Sequence, residues 1–220
     1  MTISEYFGDW LEVMDSTELE KVLKILPPLY KAKPIVPAFE NVFRAFRLCS
    51  KEDCRVVFIG QDPYPQKGVA TGILFGNNEN TEELSPSLQV IINSLSTLEE
   101  DLMPFSTFDV TMESWARQGI LMINSALTCE MNKIGSHVML WRPFLSKFLA
   151  NLSNNKIGIV YVLFGSQAQS FMPYISRKNP IIGTKHPAFY ARTGLRMPSN
   201  VFSEVNLLIK GEPIHWHTDS

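Results

Sequence analysis

Short apolar runs, each stopped by a glycine or a polar residue, set the rhythm of this chain. Arg55-Val56-Val57-Phe58-Ile59 is closed by Gly60, and Ile120-Leu121-Met122-Ile123 follows Gly119 and ends in Asn124. Ile157 to Phe164 is the strongest run and stops at Gly165-Ser166; Pro180 to Gly183 is shorter and leads through Thr184-Lys185 to His186. Runs of this length, rich in β-branched and aromatic residues and bounded by turn formers, predict buried strands. Between them the period becomes helical. Ser85-Pro86 sets an N-cap before a proline at the first helical position and leads into Leu88, Ile91, Ile92 and Leu95. Trp141 to Leu152 carries Phe144, Leu145, Phe148, Leu149 and Leu152 at helical spacing. Thr111 to Gln118, Ser166 to Ile175 and Pro198 to Ile209 predict further helices, the last stopped by Gly211. Upstream, a helix is predicted over Glu5 to Met14. Thr17-Glu18-Leu19-Glu20 fits a capping box whose helix ends at Pro27-Pro28. Tyr30 to Phe39 reads as extended and Glu40 to Phe46 as a short helix. Strands alternating with helices predict an α/β fold. We expect a single domain over 1–220, with a four-stranded parallel sheet flanked by helices on both faces.

Composition changes this picture little. With 45% hydrophobic and 19% charged residues, 220 residues suffice for a sizeable core. A net charge of -2 neither favours nor excludes nucleic acid, so any DNA contact needs a local positive patch. Cys49, Cys54 and Cys129 are an odd number without paired spacing. They predict reduced thiols in a cytoplasmic protein and no all-cysteine metal site. Met1 to Asp9 has no basic stretch followed by an apolar one, and no apolar run reaches the length of a membrane span.

The chemistry gathers at the strand ends. Gly60-Gln61-Asp62-Pro63-Tyr64 places an acid, a fixed proline and an aromatic directly after a buried strand. Parallel strands bring their carboxyl ends to one sheet edge, where open α/β sheets bind ligands. Asp62, Asn124, the Gly165-Ser166 turn and His186 therefore converge on one cleft. Taken singly, each has a plainer reading: Asp62 as a cap in a turn, Tyr64 and Phe75 as core residues.

Together with Trp115-Ala116-Arg117-Gln118-Gly119 and His186-Pro187, these segments resemble family 1 uracil-DNA glycosylase in order and spacing, from about Tyr30 to Trp216. The resemblance implies a base-excision repair enzyme that flips deoxyuridine out of single- or double-stranded DNA and hydrolyses the uracil–deoxyribose bond. It implies no metal or cofactor, a monomer, no membrane, and a location wherever the genome resides. It assigns Asp62 to the sugar cation and the attacking water, and His186, as a neutral imidazole, to uracil O2. Asn124 pairs with uracil N3–H and O4 through one amide. Tyr64 stands against C5 and excludes thymine's methyl, Phe75 stacks on the base, and Gln61 reaches uracil through its backbone. Pro86, Ser87, Gly165, Ser166 and the segment after His186, Pro187 included, correspond to phosphate-gripping loops, with Arg192 and its basic neighbours adding local charge. The resemblance also implies a DNA-mimic inhibitor protein as a partner.

Three departures stand out. The residue after Tyr64, usually histidine, is Pro65, which donates no hydrogen bond. The loop His186-Pro187-Ala188-Phe189-Tyr190-Ala191 loses a serine at Ala188 and sets Tyr190 where the family has a leucine wedge. Tyr190, helped by Phe189, is the expected wedge; the alternative is that both rings pack on the protein. Gly135-Ser136-His137 keeps only the second histidine of the family's His-Ser-His. His137 is expected to support the pocket, and His215 and His217 to be surface residues. Two rival readings remain: a non-enzymatic DNA-binding protein on the same fold, and an enzyme of relaxed base choice. The acid, amide and histidine argue against the first, and Tyr64 against the second.

Overall fold

The computed structural model describes residues 2–81, 83–95 and 108–217. Its strands are β1 (Ile35–Val36), β2 (Val56–Gly60), β3 (Ile120–Asn124), β4 (Cys129–Glu130), β5 (Val160–Phe164) and β6 (Ile181–Thr184). The four predicted runs form one parallel sheet in the order β3-β2-β5-β6. The helices are α1 (Ile3–Phe7), α2 (Ser16–Ala32), α3 (Arg44–Leu48), α4 (Pro86–Leu95), α5 (Glu113–Arg117), α6 (Val138–Asn155), α7 (Gly165–Gln169), α8 (Pro187–Thr193) and α9 (Asn200–Leu208).

Side chains alternate across the sheet and feed two cores. Val57, Ile59, Leu121, Ile123, Tyr161 and Leu163 face a layer built from α2, α3 and α6, with Trp10, Phe46 and Phe148 fully enclosed. Val56, Phe58, Met122, Val162 and Phe164 face α4, α5 and α9, with Trp115, Phe202 and Trp216. A sheet covered on both faces has no solvated side, which is why β2, β3 and β5 are buried along their whole length rather than alternating.

The N-terminal third departs from the sequence prediction. The first helix ends at Phe7, and a 3-10 turn over Gly8–Glu12 follows. That turn buries Trp10, whose indole donates to the Cys49 carbonyl at 2.8 Å. α2 is capped by Asp15, not by Thr17, and runs through Pro27 and Pro28 to Ala32. Both prolines lie on the exposed face, where carbonyls that lose a helical partner can turn to water, and proline's φ is itself helical. Buried Leu26 and a Tyr30 Oη–Pro37 carbonyl bond of 2.8 Å tie the two ends of this stretch down. Only Ile35–Val36 of the expected extended segment is a strand; it pairs antiparallel with β4. The Glu40 to Phe46 stretch divides between a 3-10 turn at Phe39–Asn41 and α3.

Two corrections lie beside the strand ends. The helix after β5 is a five-residue turn, α7, followed by a 3-10 turn at Met172–Tyr174. The segment after His186 is a helix, α8, rather than an open loop. Among the described residues no helix is long and apolar enough to cross a membrane.

Candidate active site

β2 connects to β3 on one side of the sheet and β5 connects to β6 on the other, so the gap between β2 and β5 is the topological switch point. A cleft of about 540 Å³ opens there. Gln61, Asp62, Tyr64, Phe75, Ser87, Asn124, Gly165, Ser166, His186 and Arg192 all line it. The convergence of the four strand ends is thus borne out.

The β2–β3 side is heavily cross-bonded. Gly60 pairs in register with Asn124, and a Cβ on Gly60 would stand 2.4 Å from Leu74 Cδ1 and 2.9 Å from Asn124 Oδ1. A larger residue there would have to push both side chains aside. Ser125 N donates to the Gly60 carbonyl and Ala126 N to that of Gln61, at 3.0 and 2.9 Å. Asn124 is buried, and its Oδ1 has no hydrogen-bond partner among the described residues. A buried acceptor left open costs about 1–3 kcal/mol, which is recovered when a ligand N–H meets it.

Asp62 has its two carboxylate oxygens in different circumstances. Oδ2 accepts the backbone N–H of Gly135 at 3.0 Å, while Oδ1 is buried without a partner among the described residues. Burial holds the carboxyl above its ordinary range, against the opposing pull of the Gln61 side chain and the Gly135 amide. Tyr64 is fixed by its hydroxyl, which donates to the Phe75 carbonyl at 3.3 Å. Phe75 is both core and cleft wall: 4% exposed, with φ at 65°, and edge-on to Phe164 and His186. A phenylalanine in the left-handed region is strained, and packing from several sides holds it there.

On the opposite side, His186 is the N-cap of α8. Its Nδ1 accepts the Ala188 backbone N–H at 3.1 Å, and Pro187 occupies the first helical position. A nitrogen that accepts carries no proton, so the neutral ring holds its proton on Nε2. Burial, helped by the nearby Arg192 charge, pushes the His186 pKa down to about 4. The ring is therefore a neutral donor at physiological pH. Gly165, with φ at 86°, passes His186 closely enough that a Cβ would lie 3.1 Å from the histidine's own.

The remaining predicted residues scatter more. Ser87 is buried in the cleft wall, whereas Pro86 is exposed and starts α4 outside it. Pro187 is buried at the first position of α8 and does not line the cleft. Tyr190 is half-buried against the α4–α9 core, and Phe189 faces the cleft, with Lys185 Nζ 4.0 Å above its ring. His137 is enclosed away from the cleft, its Nδ1 2.9 Å from Thr128 Oγ1, which also accepts the Trp141 indole. His215 is exposed as expected, but His217 is half-buried. The sequence reading passed over Ile134 and Pro65 as cleft walls and over the Gly135 amide. A backbone donor has no side-chain signature; only the glycine's positive φ, 81°, marks the turn that aims it.

Residues 46–210 match the family model for the uracil DNA glycosylase superfamily. The chain belongs to that superfamily. A uracil-DNA glycosylase of Campylobacter jejuni is 36% identical over 187 residues, covering 83% of this chain and 79% of that protein. One from Desulfitobacterium hafniense is 32% identical over 220 residues, covering 96% and 97%. The crystal structure of mimivirus uracil-DNA glycosylase overlays with a TM-score of 0.76 at 22% identity, covering 97% of this chain and 91% of that one, a likeness of fold. A mimivirus UNG variant solved in complex with UGI overlays at 0.67 with 25% identity, covering 84% and 75%.

Proposed function

We propose that this chain hydrolyses the uracil–deoxyribose bond in DNA by the family 1 route, with Asp62 and His186 as its catalytic pair. Uracil excision in base-excision repair is the activity of its superfamily relatives; the residue roles and the handling of DNA are the proposal. The observation that carries it is the state of His186: a buried, neutral imidazole with its proton forced onto Nε2 by a backbone cap. Bond cleavage leaves positive charge on the sugar and negative charge on uracil. A neutral donor at O2 stabilises that anion without transferring a proton, and a desolvated Asp62 stabilises the cation and directs water to it. The open Asn124 Oδ1 accepts uracil N3–H and its amide N–H meets O4, the reverse of what cytosine presents. Tyr64, pinned at its hydroxyl, leaves no space at C5 for a methyl.

In this reading the base enters by flipping out of the stack, from single- or double-stranded DNA. Ser87, Gly165 and Ser166, with Arg192, grip phosphates, and Phe189, edge-on to a Tyr190 seated against the core, fills the vacated space. The chain acts as a single domain and a monomer, needs no metal, and works wherever its genome resides. A DNA-mimic inhibitor that covers the cleft would block it. Uracil release from a single-uracil oligonucleotide in chelator, beside a thymine oligonucleotide, tests this: release from uracil alone is expected. DNA binding without release would leave a binding protein on this fold, and release of thymine would overturn the role of Tyr64.

A further inference from the structure

Two positions where the family commonly has histidine are Pro65 and Gly135 here, and the loop that holds Gly135 is bonded to Pro65. Residues 130–136 turn back on themselves through a Lys133 N–Glu130 carbonyl bond of 3.0 Å and a Glu130 N–Ser136 Oγ bond of 2.8 Å. The loop is fastened to the rest of the chain by Met131 N on the Pro34 carbonyl at 2.9 Å and Asn132 N on the Pro65 carbonyl at 3.1 Å. From that seat Gly135 N reaches Asp62 Oδ2, and Ile134, 69% exposed, joins Pro65 in lining the cleft. An isoleucine so exposed yet set at the cleft rim is not there to fill a core.

We propose that the 130–136 loop is the positioning element for Asp62: the Gly135 amide fixes one carboxylate oxygen, and Ile134 with Pro65 supplies an apolar wall that keeps the other free of bulk water. This rests on the catalytic role proposed for Asp62. The amide donor orients the carboxylate so that the unpartnered Oδ1 is the atom offered to water and the sugar. The wall does the opposite electrostatic work. It raises the free energy of the charged carboxylate, so that the charge interacts strongly with a nearby cation. Neither influence comes from a neighbouring charge. Asp62 responds to burial, the Gln61 side chain and the Gly135 amide. The other titratable and charged groups around it are His186, Lys185 and Arg192 in the cleft wall, Cys129 behind Pro63, and Glu130 and Lys133 in the loop. Cys129 is a neutral thiol, held up by burial and by Asp62 itself, and Glu130 is paired with both Lys133 and Lys33.

Two kinds of substitution separate the parts. Gly135 has open space around an added Cβ but sits at φ 81°, so a substitution there acts through the backbone alone. Gly135→Val cannot hold that conformation and should displace the amide, whereas Gly135→Asn tolerates it and keeps the N–H. Ile134→Asn wets the wall and leaves the amide in place. The Asp62 titration, followed by carboxyl carbon NMR, is predicted to rise in Gly135→Val, fall in Ile134→Asn and stay at the wild-type midpoint in Gly135→Asn. Single-turnover uracil release should drop ~10–100-fold in Gly135→Val, the scale of a small misplacement, with KM little changed, and recover in Gly135→Asn. Shifts of the same sign in Gly135→Val and Ile134→Asn, or a Gly135→Asn variant as impaired as Gly135→Val, would overturn the proposal. The NMR midpoints are read without turnover, so a wild-type protein that releases no uracil would defeat the catalytic assignment and still leave the positioning of Asp62 measured.

Discussion

The two sides of the cleft are built differently. On the β2–β3 side, Asp62, Tyr64 and Asn124 are each held by strand register or hydrogen bonds from other segments, and the backbone between them is closed by Ser125 and Ala126. On the β5–β6 side, two short helices, α7 and α8, carry the lining residues, and beyond the capped His186 the α8 residues from Phe189 to Thr193 are half-buried or exposed. In the proposed function the first side reads a small rigid base, and the second meets a flexible polymer and fills a gap of variable shape. Rigidity is spent where the ligand is invariant, and surface freedom is kept where it is not.

Substitutions on the base-reading side should therefore cost the most. Asp62→Asn is expected to lower single-turnover release by ~10³-fold or more, as loss of both charge stabilisation and water orientation implies. It should also stabilise the fold at pH 7. The folded carboxyl titrates above its unfolded value, so stability is lost as pH rises between the two, and a neutral amide avoids that loss. A rise in Tm at pH 7 that is absent at a pH below the unfolded carboxyl range would confirm this. A variant slow but no more stable would mean that burial of Asp62 costs little.

Tyr64→Ala comes next. Opening the wall at C5 should permit detectable thymine release while uracil release falls ~10-fold. Tyr64→Phe, which loses only the bond to the Phe75 carbonyl, should stay specific but bind uracil more weakly by about 0.5–1.5 kcal/mol. Equal thymine release by both variants would show that the hydroxyl latch, not the ring, sets specificity.

Across the cleft the effects should be smaller and depend on the DNA. Phe189→Ala should slow cleavage of duplex more than of single strands, by ~10-fold, since a stacked aromatic is worth about 1–3 kcal/mol. Tyr190→Ala should chiefly lower Tm, because its ring packs against the core under α4 and α9. The reverse order would mean that Tyr190 leaves its seat when DNA arrives. The smallest effect is expected from Arg192→Gln at saturating DNA. Burial is the larger cause of the low His186 pKa, so removing the arginine should move the acid limb of the rate, which falls as pH drops towards about 4, only slightly upward.

How much of this the sequence carried follows the same division. Strand ends are marked by abrupt changes from apolar runs to glycine or polar residues, so Gly60–Tyr64, Asn124, Gly165 and His186 were legible, and with them the cleft. The N-terminal helices were not. Pro27-Pro28 reads as a stop, yet packing at Leu26 and the Tyr30 hydroxyl carry α2 past it. α8 was missed because His186-Pro187 reads as a turn, although histidine at an N-cap and proline at the first position also begin a helix. The two-residue pair β1–β4 was invisible, since it is defined by a partner across the chain rather than by a pattern of its own.

The cap on His186 has one more consequence. The proton's place on the ring is dictated by an amide of the main chain, a dipole that no ion can compete away, rather than by a neighbouring carboxylate. In the proposed function, added salt should therefore thin the hold on phosphates and slow arrival at DNA, yet leave the chemical step of an already bound deoxyuridine untouched. Grip and chemistry in this molecule answer to different solvents.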